Sequence, residues 1–332
     1  MIDRYSRQTL FIGEESQNKL SNSHVTIIGC GALGSIIATS LVRAGVGKIK
    51  IVDRDFIEYH NLQRQVIFDE EDIKNHLPKA IAAERHLKKV NSSIGIEGIV
   101  ADVNYTNIEK IVHGTDLILD GLDNFETRLL INDVSLKHNI PWVYGGAISA
   151  LGMTMTIIPH ETPCFLCVTP DTQGRGFTCD TAGVINPAPF IIGSLESAEA
   201  MKILTGVDTI NRDLLVLDVW KGVFNQLIIT PQQDCPACKG MYNFLKGQYE
   251  MECNMLCGQT AVQVINPHID KISLEELAKR LKPLGKVIFN RYMLSFTVNG
   301  NEMVVFPDGR TIIKNTQDKS LARGLYAKYI GL

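Results

Sequence analysis

The residues with the clearest chemical meaning form a glycine loop followed by an acid. Gly29, Gly31 and Gly34 have the spacing Gly-x-Gly-x-x-Gly between an apolar run, VTIIG, and a helical pattern, LGSIIATSLVRAGV. Backbone amides at such a turn can bind a phosphate, and Asp53, which ends the next apolar run, can accept hydrogen bonds from ribose hydroxyls. This order predicts a nucleotide site. The alternative is a tight turn in an ordinary βαβ unit.

Charged residues after the loop separate two classes of nucleotide. The loop amides largely satisfy a dinucleotide pyrophosphate, whereas a triphosphate usually needs several cations and Mg²⁺. Arg64 and Lys79 follow quickly, Lys79 directly after Pro78 at an expected helix start, and Asp123 lies just past the apolar run DLILD, where it could hold Mg²⁺. Together they favour ATP over NAD. The alternatives are a surface ion pair for Arg64, a solvated charge for Lys79 and a helix N-cap for Asp123.

Two Cys-x-x-Cys pairs supply four thiolates. They are Cys164 with Cys167 and Cys235 with Cys238. One pair alone would indicate a redox motif or a coincidence, but two pairs favour a tetrahedral Zn²⁺ site. Because the protein fills all four positions, we expect this zinc to stabilise the fold and not to catalyse.

The remaining cysteines differ in their surroundings. Cys179 lies in the glycine-rich segment GRGFTCDTAG beside an arginine, which favours an exposed thiol with nucleophilic character. The alternative is a buried or spare thiol. Cys253 and Cys257 are interpreted as spare thiols at a domain boundary, with a second metal or redox site as the alternative. Cys30 is interpreted as a small apolar filler of the glycine loop.

Composition limits the partners of this protein. The chain has 332 residues, 45% of them hydrophobic and 21% charged, with a formal net charge of −3. Such a charge gives no general field for nucleic acid or for anionic membranes. The sequence has no apolar run of membrane-spanning length, and its start, MIDRYSRQTLF, does not have the pattern of a signal peptide. We therefore expect a cytoplasmic protein with no nucleic-acid or membrane partner.

The hydrophobic pattern predicts the elements that position these residues. Short β-branched runs alternate with helical patterns in the first half, which is typical of a doubly wound, Rossmann-like α/β sheet. From PWVYGG onward the runs MTMTIIP, LLVLDVW and FNQLIIT have less helix between them and predict antiparallel strands that extend the same sheet. The segment PAPFIIGSLESAEAMKILTG predicts an amphipathic helix that ends at Gly206. The fold class is thus α/β with a mixed sheet and structural zinc.

The pattern changes after Cys257. The order becomes strand, helix, several strands and helix, and Ser273 with Glu276 has the spacing of a capping box. We expect a nucleotide-binding domain over residues 1–257 and a small α+β domain of unknown role over residues 258–332.

About residues 1–240 resemble the ThiF/MoeB family, bacterial relatives of ubiquitin-activating enzymes. The resemblance is carried by the paired Cys-x-x-Cys motifs and by RYSRQ, GCGALGS, IVDRD, NLQRQ, Pro78-Lys79, GLDN and TCDTAGV. It implies an adenylyltransferase, active as a homodimer, that uses ATP and Mg²⁺. The implied partner is a small ubiquitin-like sulfur carrier of the ThiS or MoaD type, whose C-terminal Gly-Gly is adenylated for thiamine or molybdopterin biosynthesis.

The resemblance also implies roles for single residues. Asp53 would bind the ribose, Asn61, Arg64 and Lys79 the phosphates, and Asp123 the Mg²⁺. We expect electrostatic roles for Arg64, Lys79 and Asp123, and also for Arg7, because a carboxylate that attacks a phosphate needs no general base.

Three positions extend or depart from that pattern. Arg7 matches the arginine that reaches the nucleotide of the other subunit in family dimers. Cys179 matches a cysteine that forms a persulfide or thioester bond with the carrier in some members. Ala32 stands where many members have glycine, which is tolerated if the backbone there avoids positive φ.

Other functions remain as alternatives at this point. An NAD-dependent oxidoreductase would explain the glycine loop and Asp53, but no hydride-transfer acid is evident. A zinc-stabilised binding module without activity is a second alternative. A tRNA-modifying dehydratase relative of the same superfamily is a third, and the paired cysteine motifs and Cys179 argue against it.

Overall fold

The computed structural model describes residues 4–169, 182–247, 261–265, 271–298 and 300–330. The chain divides into two compact units, Met1–Tyr249 and Glu250–Leu332. The predicted boundary after residue 257 lies outside the described residues and stays a prediction. Cys179, Cys253 and Cys257 also lie outside them, so their predicted roles rest on the sequence alone.

The first unit is built on one eight-stranded mixed sheet in the order β3-β2-β1-β4-β5-β6-β7-β8. Its strands are β1 His24–Ile28, β2 Lys48–Asp53, β3 Gly95–Val100, β4 Leu117–Asp120, β5 Trp142–Ile148, β6 Leu151–Ile157, β7 Leu214–Asp218 and β8 Val223–Leu227. The first five strands are parallel, and β6, β7 and β8 join them antiparallel. The predicted mixed sheet is therefore confirmed.

Helices pack around this sheet. They are α1 Ser6–Ile12, α2 Glu14–Asn22, α3 Ala32–Ala44, α4 Glu70–Lys74, α5 Lys79–Val90, α6 Ile108–Ile111, α7 Phe125–His138, α8 Phe165–Val168 and α9 Pro187–Thr205. The parallel strands are nearly continuous apolar runs because the sheet is covered on both faces, and β1 and β4 are almost wholly buried.

The helix α9 begins at its prolines and ends before Gly206, which adopts the left-handed conformation. Its buried positions, however, include Glu196, Ser197 and Glu199. An amphipathic helix would carry both glutamates on its solvent face, so that part of the prediction was wrong. The polar residues face inward because α9 packs against β4, β5 and β6 as well as against α3.

The second unit contains a five-stranded antiparallel sheet in the order β10-β11-β12-β13-β9. The strands are β9 Ala261–Val264, β10 Lys286–Phe289, β11 Leu294–Val298, β12 Asn301–Val305 and β13 Thr311–Lys314. Two helices, α10 Leu274–Leu281 and α11 Lys319–Tyr329, share a hydrophobic core with it. Ser273 caps α10 by accepting a hydrogen bond from the Glu276 amide, at 3.4 Å.

Within the described ranges, none of the helices combines the length and apolar character needed to cross a bilayer.

Candidate functional site

The glycine loop lies where the strand order changes direction. From β1 the chain builds β2 and β3 on one side and then returns to place β4 on the other side. The carboxyl ends of β1, β2 and β4 therefore share one edge of the sheet, called here the carboxyl edge, and the crevice beside β1 and β4 is the usual ligand position in such sheets.

The three glycines of the loop have different tasks. A Cβ on Gly29, at φ +92°, would lie 2.5 Å from the backbone of Gly121, and a Cβ on Gly34 would lie 2.0 Å from the carbonyl oxygen of Gly29. Both are needed for close packing. Gly31 is different, because the nearest atom to a Cβ there would be 3.7 Å away. It is the residue of the three that leaves space for a ligand at the start of α3.

Ala32 fits the helix that follows. It is the first residue of α3 and is absent from the residues with positive φ. A methyl group at this position is therefore compatible with the loop backbone.

Asp53 holds the loop in place from β2. Its carboxylate accepts hydrogen bonds from the backbone amides of Cys30, at 2.6 Å, and of Asp55, at 2.7 Å. Burial raises the pKa of Asp53, and the charge of Lys79 opposes that shift. Each oxygen keeps a further lone pair, so this contact with the loop does not prevent a hydrogen bond from a ribose hydroxyl.

Lys79 is a buried cation at the first position of α5. Its Nζ lies 3.2 Å from Oδ2 of Asp55, and its side chain is 9% exposed. Burial lowers the pKa of this ammonium, but neighbouring carboxylates outweigh the effect and raise it well above the ordinary value. Those carboxylates belong to Asp55, Asp53 and Asp123. The alternative of a solvated charge was wrong, and the expected helix start at Lys79 is confirmed.

Asp123 is exposed, and its carboxylate is close enough to Lys79 and to two arginines to influence their pKa values. Among the described residues no hydrogen bond or ion pair involves its carboxylate, although its charge contributes to the raised pKa values of Lys79, Arg54 and Arg128. It is not the helix cap, since Asn124 caps α7 by accepting from the Thr127 amide at 2.9 Å. An unpaired carboxylate at this edge is a suitable hard oxygen ligand for Mg²⁺.

The turn that carries Asp123 is braced by a buried ion pair that the sequence analysis missed. Nε of Arg128 donates to Asp120 at 2.9 Å, while Nη2 donates to the carbonyl oxygens of Leu122 and Gly145 at 2.7 and 2.8 Å. Burial lowers the pKa of Arg128 and Asp120 raises it, with a net rise. Arg128 thus ties the end of β4, the turn after it and β5 together.

The NLQRQ segment carries two of the predicted phosphate-binding residues, Asn61 and Arg64. Asn61 is buried, and its Oδ1 accepts from the Glu58 amide at 2.9 Å, which closes a short 3₁₀ turn over Tyr59–Asn61. Arg64 is half-buried and donates only to the carbonyl oxygen of His60, at 2.8 Å, within the described residues. The alternative of a surface ion pair for Arg64 was therefore wrong.

Gln65, which the sequence analysis did not assign, has an unsatisfied amide group. It is 4% exposed, and its Oε1 is buried with no hydrogen-bond partner among the described residues. Its Nε2 lies 3.8 Å from the position a Cβ would take on Gly31. A buried amide with an unpaired oxygen, next to the open glycine of the loop, leaves hydrogen-bonding capacity for a polar ligand at this position.

Arg7 is far from the glycine loop of its own chain. The segment that carries it is anchored at the opposite end of α3, where Gln8 donates to the carbonyl oxygen of Ala44 at 2.8 Å and the Tyr5 ring covers Gly45. The 13 residues of α3 separate that end from the loop, a length of about 20 Å. Arg7 is exposed, and the structure does not bring it together with the other predicted site residues.

The four cysteines of the two pairs converge on one point. The Sγ atom of Cys164 lies 3.8 Å from that of Cys167, 3.6 Å from that of Cys235 and 3.5 Å from that of Cys238, while Cys167 and Cys238 are 3.7 Å apart. Four sulfurs at about 2.3 Å from a central Zn²⁺ would be separated by roughly 3.8 Å. The cluster therefore has the dimensions of a tetrahedral metal site.

Surrounding groups hold this cluster. The amide of Gln232 donates to Sγ of Cys167 at 3.4 Å, and Asn132 of α7 accepts from the Phe165 amide at 2.8 Å. Burial, followed by the neighbouring cysteines, raises the pKa of Cys164. Thiolates packed so closely need a cation between them, which agrees with a metal site.

Comparisons with known proteins show which family this chain is similar to. Residues 5–237 match the ThiF family. The chain is 40% identical over 337 residues to the sulfur carrier protein ThiS adenylyltransferase of Bacillus subtilis (strain 168), with 100% of both chains covered. It is 35% identical over 240 residues to the protein of the same name from Escherichia coli (strain K12), with 71% of this chain and 95% of that relative covered.

A solved structure shares the fold. The crystal structure of E. coli MccB with ATP matches 71% of this chain and 75% of that chain, with a TM-score of 0.63 and 24% identity. This likeness concerns the fold alone.

Proposed function

The chain belongs to the ThiF family, and from that premise we propose that it is an ATP-dependent adenylyltransferase that activates the C-terminal glycine of a small ubiquitin-like sulfur carrier. The main support for this function is the 40% identity, over the whole of both chains, to a ThiS adenylyltransferase. A ThiS-type carrier is our first choice because both relatives described above bear that name. A MoaD-type carrier is the alternative substrate.

The phosphates of ATP bind at the open part of the glycine loop. The amides at the start of α3 and the Gln65 amide group provide uncharged donors there. Arg64 and Lys79 provide positive charge, and Asn61 completes the polar wall. This assignment is supported by the space over Gly31 and by the Nε2 donor of Gln65 beside that space.

Asp123 holds Mg²⁺ at this site. Its exposed carboxylate, which has no partner among the described residues, is the appropriate ligand type. A magnesium ion bound there would neutralise phosphate charge during the reaction. Lys79 and the ion pair of Arg128 with Asp120 keep the surrounding charges fixed.

The chemical step needs positioning and charge, and no proton transfer. A carboxylate oxygen of the carrier's terminal glycine attacks the α-phosphorus of ATP. The bond from that phosphorus to the bridging oxygen breaks, and pyrophosphate leaves with the electron pair, so the products are an acyl-adenylate and pyrophosphate. Arg64 and Lys79 offset the repulsion between the two anions, which is the main barrier to their approach.

Arg7 acts in the nucleotide site of a second subunit. In its own chain it lies at the opposite end of α3 from the glycine loop, beside the exposed side chains of Leu10 and Phe11. We propose a homodimer in which this end of each chain meets the carboxyl edge of the other. Mixing inactive Arg7→Ala and Arg64→Ala subunits should then restore about a quarter of the wild-type activity per subunit, since one intact site forms in each mixed dimer. No recovery in subunits shown to exchange would exclude this arrangement.

The four clustered cysteines bind structural Zn²⁺. The distances between their sulfurs fit a tetrahedral ion, and their positions join the segment around α8 to the residues after β8. We expect native mass spectrometry to detect one zinc ion per chain and Cys235→Ser to lower the melting temperature. Metal-free protein with an unchanged melting temperature would contradict this role.

Cys179 forms a covalent bond to the carrier after adenylation. This proposal rests on its position in TCDTAGV and on the chemistry of a thiolate, which attacks an acyl-adenylate readily. The sulfur bonds to the acyl carbon, the bond from that carbon to the phosphate oxygen of AMP breaks, and the products are a thioester and AMP. A Cys179→Ser variant should still make acyl-adenylate and should lose covalent adducts with the carrier. Unchanged adducts would remove the assignment.

The function itself is tested by mass spectrometry of the carrier. The protein is incubated with ATP and Mg²⁺ and, separately, with a ThiS-type and a MoaD-type carrier ending in Gly-Gly. We expect the ThiS-type carrier to gain the mass of one AMP and the release of pyrophosphate to depend on the carrier. A matched carrier without its terminal glycine serves as the control. No adduct with either carrier, under conditions where ATP binds, would overturn the proposed function.

A further inference from the structure

Glu196 is a buried acid that none of the roles described so far requires. It lies in the middle of α9 with 0% exposure, and neither carboxyl oxygen has a hydrogen-bond partner among the described residues. Its carboxyl group occupies the space beside Gly145 of β5, where a Cβ would lie 1.9 Å from Oε1. Glycine at 145 therefore leaves room for this group. A buried polar group without partners is costly and requires an explanation.

The surroundings of Glu196 contain one cation for two acids. Asp120 reaches it from β4, Arg128 from α7 and Tyr144 from β5, and within the described residues the charges that act on its carboxyl group are those of Asp120 and Arg128. Arg128 already has hydrogen-bond partners, since its Nε donates to Asp120 and its Nη2 to two backbone carbonyls. The Asp120–Arg128 pair is neutral as a whole, so an ionised Glu196 would add an uncompensated charge to a fully buried region.

The charge state of Glu196 follows from this arrangement. Burial raises its pKa well above the ordinary value, and the negative charge of Asp120 raises it further. Arg128 opposes the shift, and the backbone of Asp120 opposes it least. The burial of Glu196 without hydrogen-bond partners among the described residues and its raised pKa both indicate that its carboxyl group is neutral.

We propose that Glu196 is a protonated carboxylic acid. Because it carries this proton, Arg128 stays bound to Asp120, which makes Glu196 a positioning residue for the Gly121–Asp123 turn. The part that concerns Asp123 and nucleotide rests on the proposed function. Loss of the proton would place a second carboxylate in competition for the guanidinium. Arg128 would then release the Leu122 carbonyl or Asp120, and the turn that carries Asp123 would lose its brace.

The protonation state can be measured without nucleotide. Infrared difference spectra between wild type and Glu196→Gln at pH 7 should show the loss of one protonated-carboxyl band. The matched control is Glu199→Gln, one turn further along α9. Glu199 is also buried, but its oxygens pair with Nζ of Lys202, at 2.6 Å, and with the Asn211 amide, at 2.9 Å. This control should lose a carboxylate band instead. A carboxylate band lost in both variants would overturn the proposal.

The free energies of unfolding of wild type and Glu196→Gln should diverge as the pH rises. Since folding raises the pKa of Glu196, the folded state holds a proton that the unfolded state has lost, and wild-type stability falls as pH rises above the unfolded pKa of about 4.3. The unfolding constant of wild type relative to Glu196→Gln should therefore increase by up to about tenfold per pH unit above that value. In more acidic buffer the ratio should be constant. A ratio that does not change with pH would contradict a raised pKa.

The positioning role of Glu196 is tested separately by measuring the affinity for ATP as a function of pH. The affinity of wild type for ATP and Mg²⁺ should fall at alkaline pH as Glu196 ionises, and Glu196→Gln should lack this fall because an amide cannot ionise. Glu196→Ala, which removes both the proton and the packing, should bind ATP weakly at every pH, and rescue by glutamine would separate charge from volume. The same alkaline fall in Glu196→Gln would refute the positioning role. If wild type binds no ATP at all, the proposed function fails, while the infrared and unfolding results still decide the protonation state.

Discussion

The two edges of the first sheet use buried amide groups in opposite ways. At the edge formed by the start of β2 and the ends of α3 and α5, called here the amino edge, Asn91 donates to the Tyr5 hydroxyl at 2.8 Å and to the Val42 carbonyl at 3.0 Å. Gln17 there donates to the Ala44 carbonyl at 3.1 Å. At the carboxyl edge Gln65 is equally buried but has an unsatisfied oxygen. The paired amides of Asn91 and Gln17 hold the fold, whereas the incompletely paired amide of Gln65 lies beside the open glycine of the loop.

The two edges also differ in the burial of their charged side chains. The carboxyl edge gathers Lys79 and Arg128 among several carboxylates, and both cations are buried. At the amino edge Arg7 is exposed. Substitutions of Arg64 and Gln65 at the carboxyl edge should therefore change binding and catalysis without much effect on stability. Substitutions within the paired Asn91–Tyr5 contact at the amino edge should do the reverse. Arg7, which we propose to act in the site of a second subunit, is outside this division. Four substitutions test this division, in order of expected effect.

Arg64→Ala should cause the largest loss. We expect carrier-dependent exchange of pyrophosphate into ATP to fall by about 10²- to 10³-fold, the usual effect of removing one group that stabilises charge in the transition state. The melting temperature should hardly change, because the side chain donates only to the His60 carbonyl within the described residues. Arg85→Ala, which removes an exposed cation from α5, is the matched control. Near-wild-type exchange in Arg64→Ala would remove this residue from the site.

Gln65→Glu should weaken the binding of ATP and Mg²⁺ by about ten- to a hundredfold. The change replaces a donor with a carboxylate of the same shape, and a hydrogen bond to a charged group contributes about 1.5–3 kcal/mol. The control is Gln63→Glu, which adds the same charge two residues away on an exposed side chain. Titration calorimetry would measure both affinities. Equal affinities for the two variants would mean that the Gln65 amide does not contact the nucleotide.

Much of the fold could be predicted from the sequence because its signals are local. The glycine loop, the start of α5 at Lys79, and the end of α9 at Gly206 each depend on a few neighbouring residues. The antiparallel half of the sheet was also predictable from the loss of helical patterns after β5. The four cysteines were recognisable by type and spacing, and the fold brings them together.

The parts of the site that the sequence analysis missed depend on contacts between distant elements. Gln63 and Gln65 are chemically identical and two residues apart, and only the packing of the segment against the loop buries the second. Glu196, Glu199 and Lys202 recur every three residues on one side of α9, a spacing that predicts a solvent face, and the packing of α9 against β5 buries Glu196 instead. Arg128 and Asp120 lie in adjacent elements, and neither has a spacing that indicates a buried pair.

Asn91→Ala, at the amino edge, should act on stability. It removes the donor to the Tyr5 hydroxyl and the Val42 carbonyl and the acceptor that binds Ser93. Leaving a buried carbonyl without its partner costs about 1–3 kcal/mol of unfolding free energy. Chemical denaturation would measure this loss. The affinity for ATP and Mg²⁺ should stay within about twofold of wild type, and a larger change in affinity than in stability would contradict the division between the edges.

Tyr5→Phe should have the smallest effect and gives the sharpest comparison. It removes one hydroxyl and keeps the ring that covers Gly45, so that α1, which carries Arg7, stays anchored. Asn91 still donates to the Val42 carbonyl, and we expect a loss of about 0.5–1.5 kcal/mol in the free energy of unfolding. Exchange activity should be unchanged at temperatures well below unfolding. If exchange fell tenfold with so small a loss of stability, the Tyr5 hydroxyl itself would affect catalysis, and the division between the two edges would be wrong.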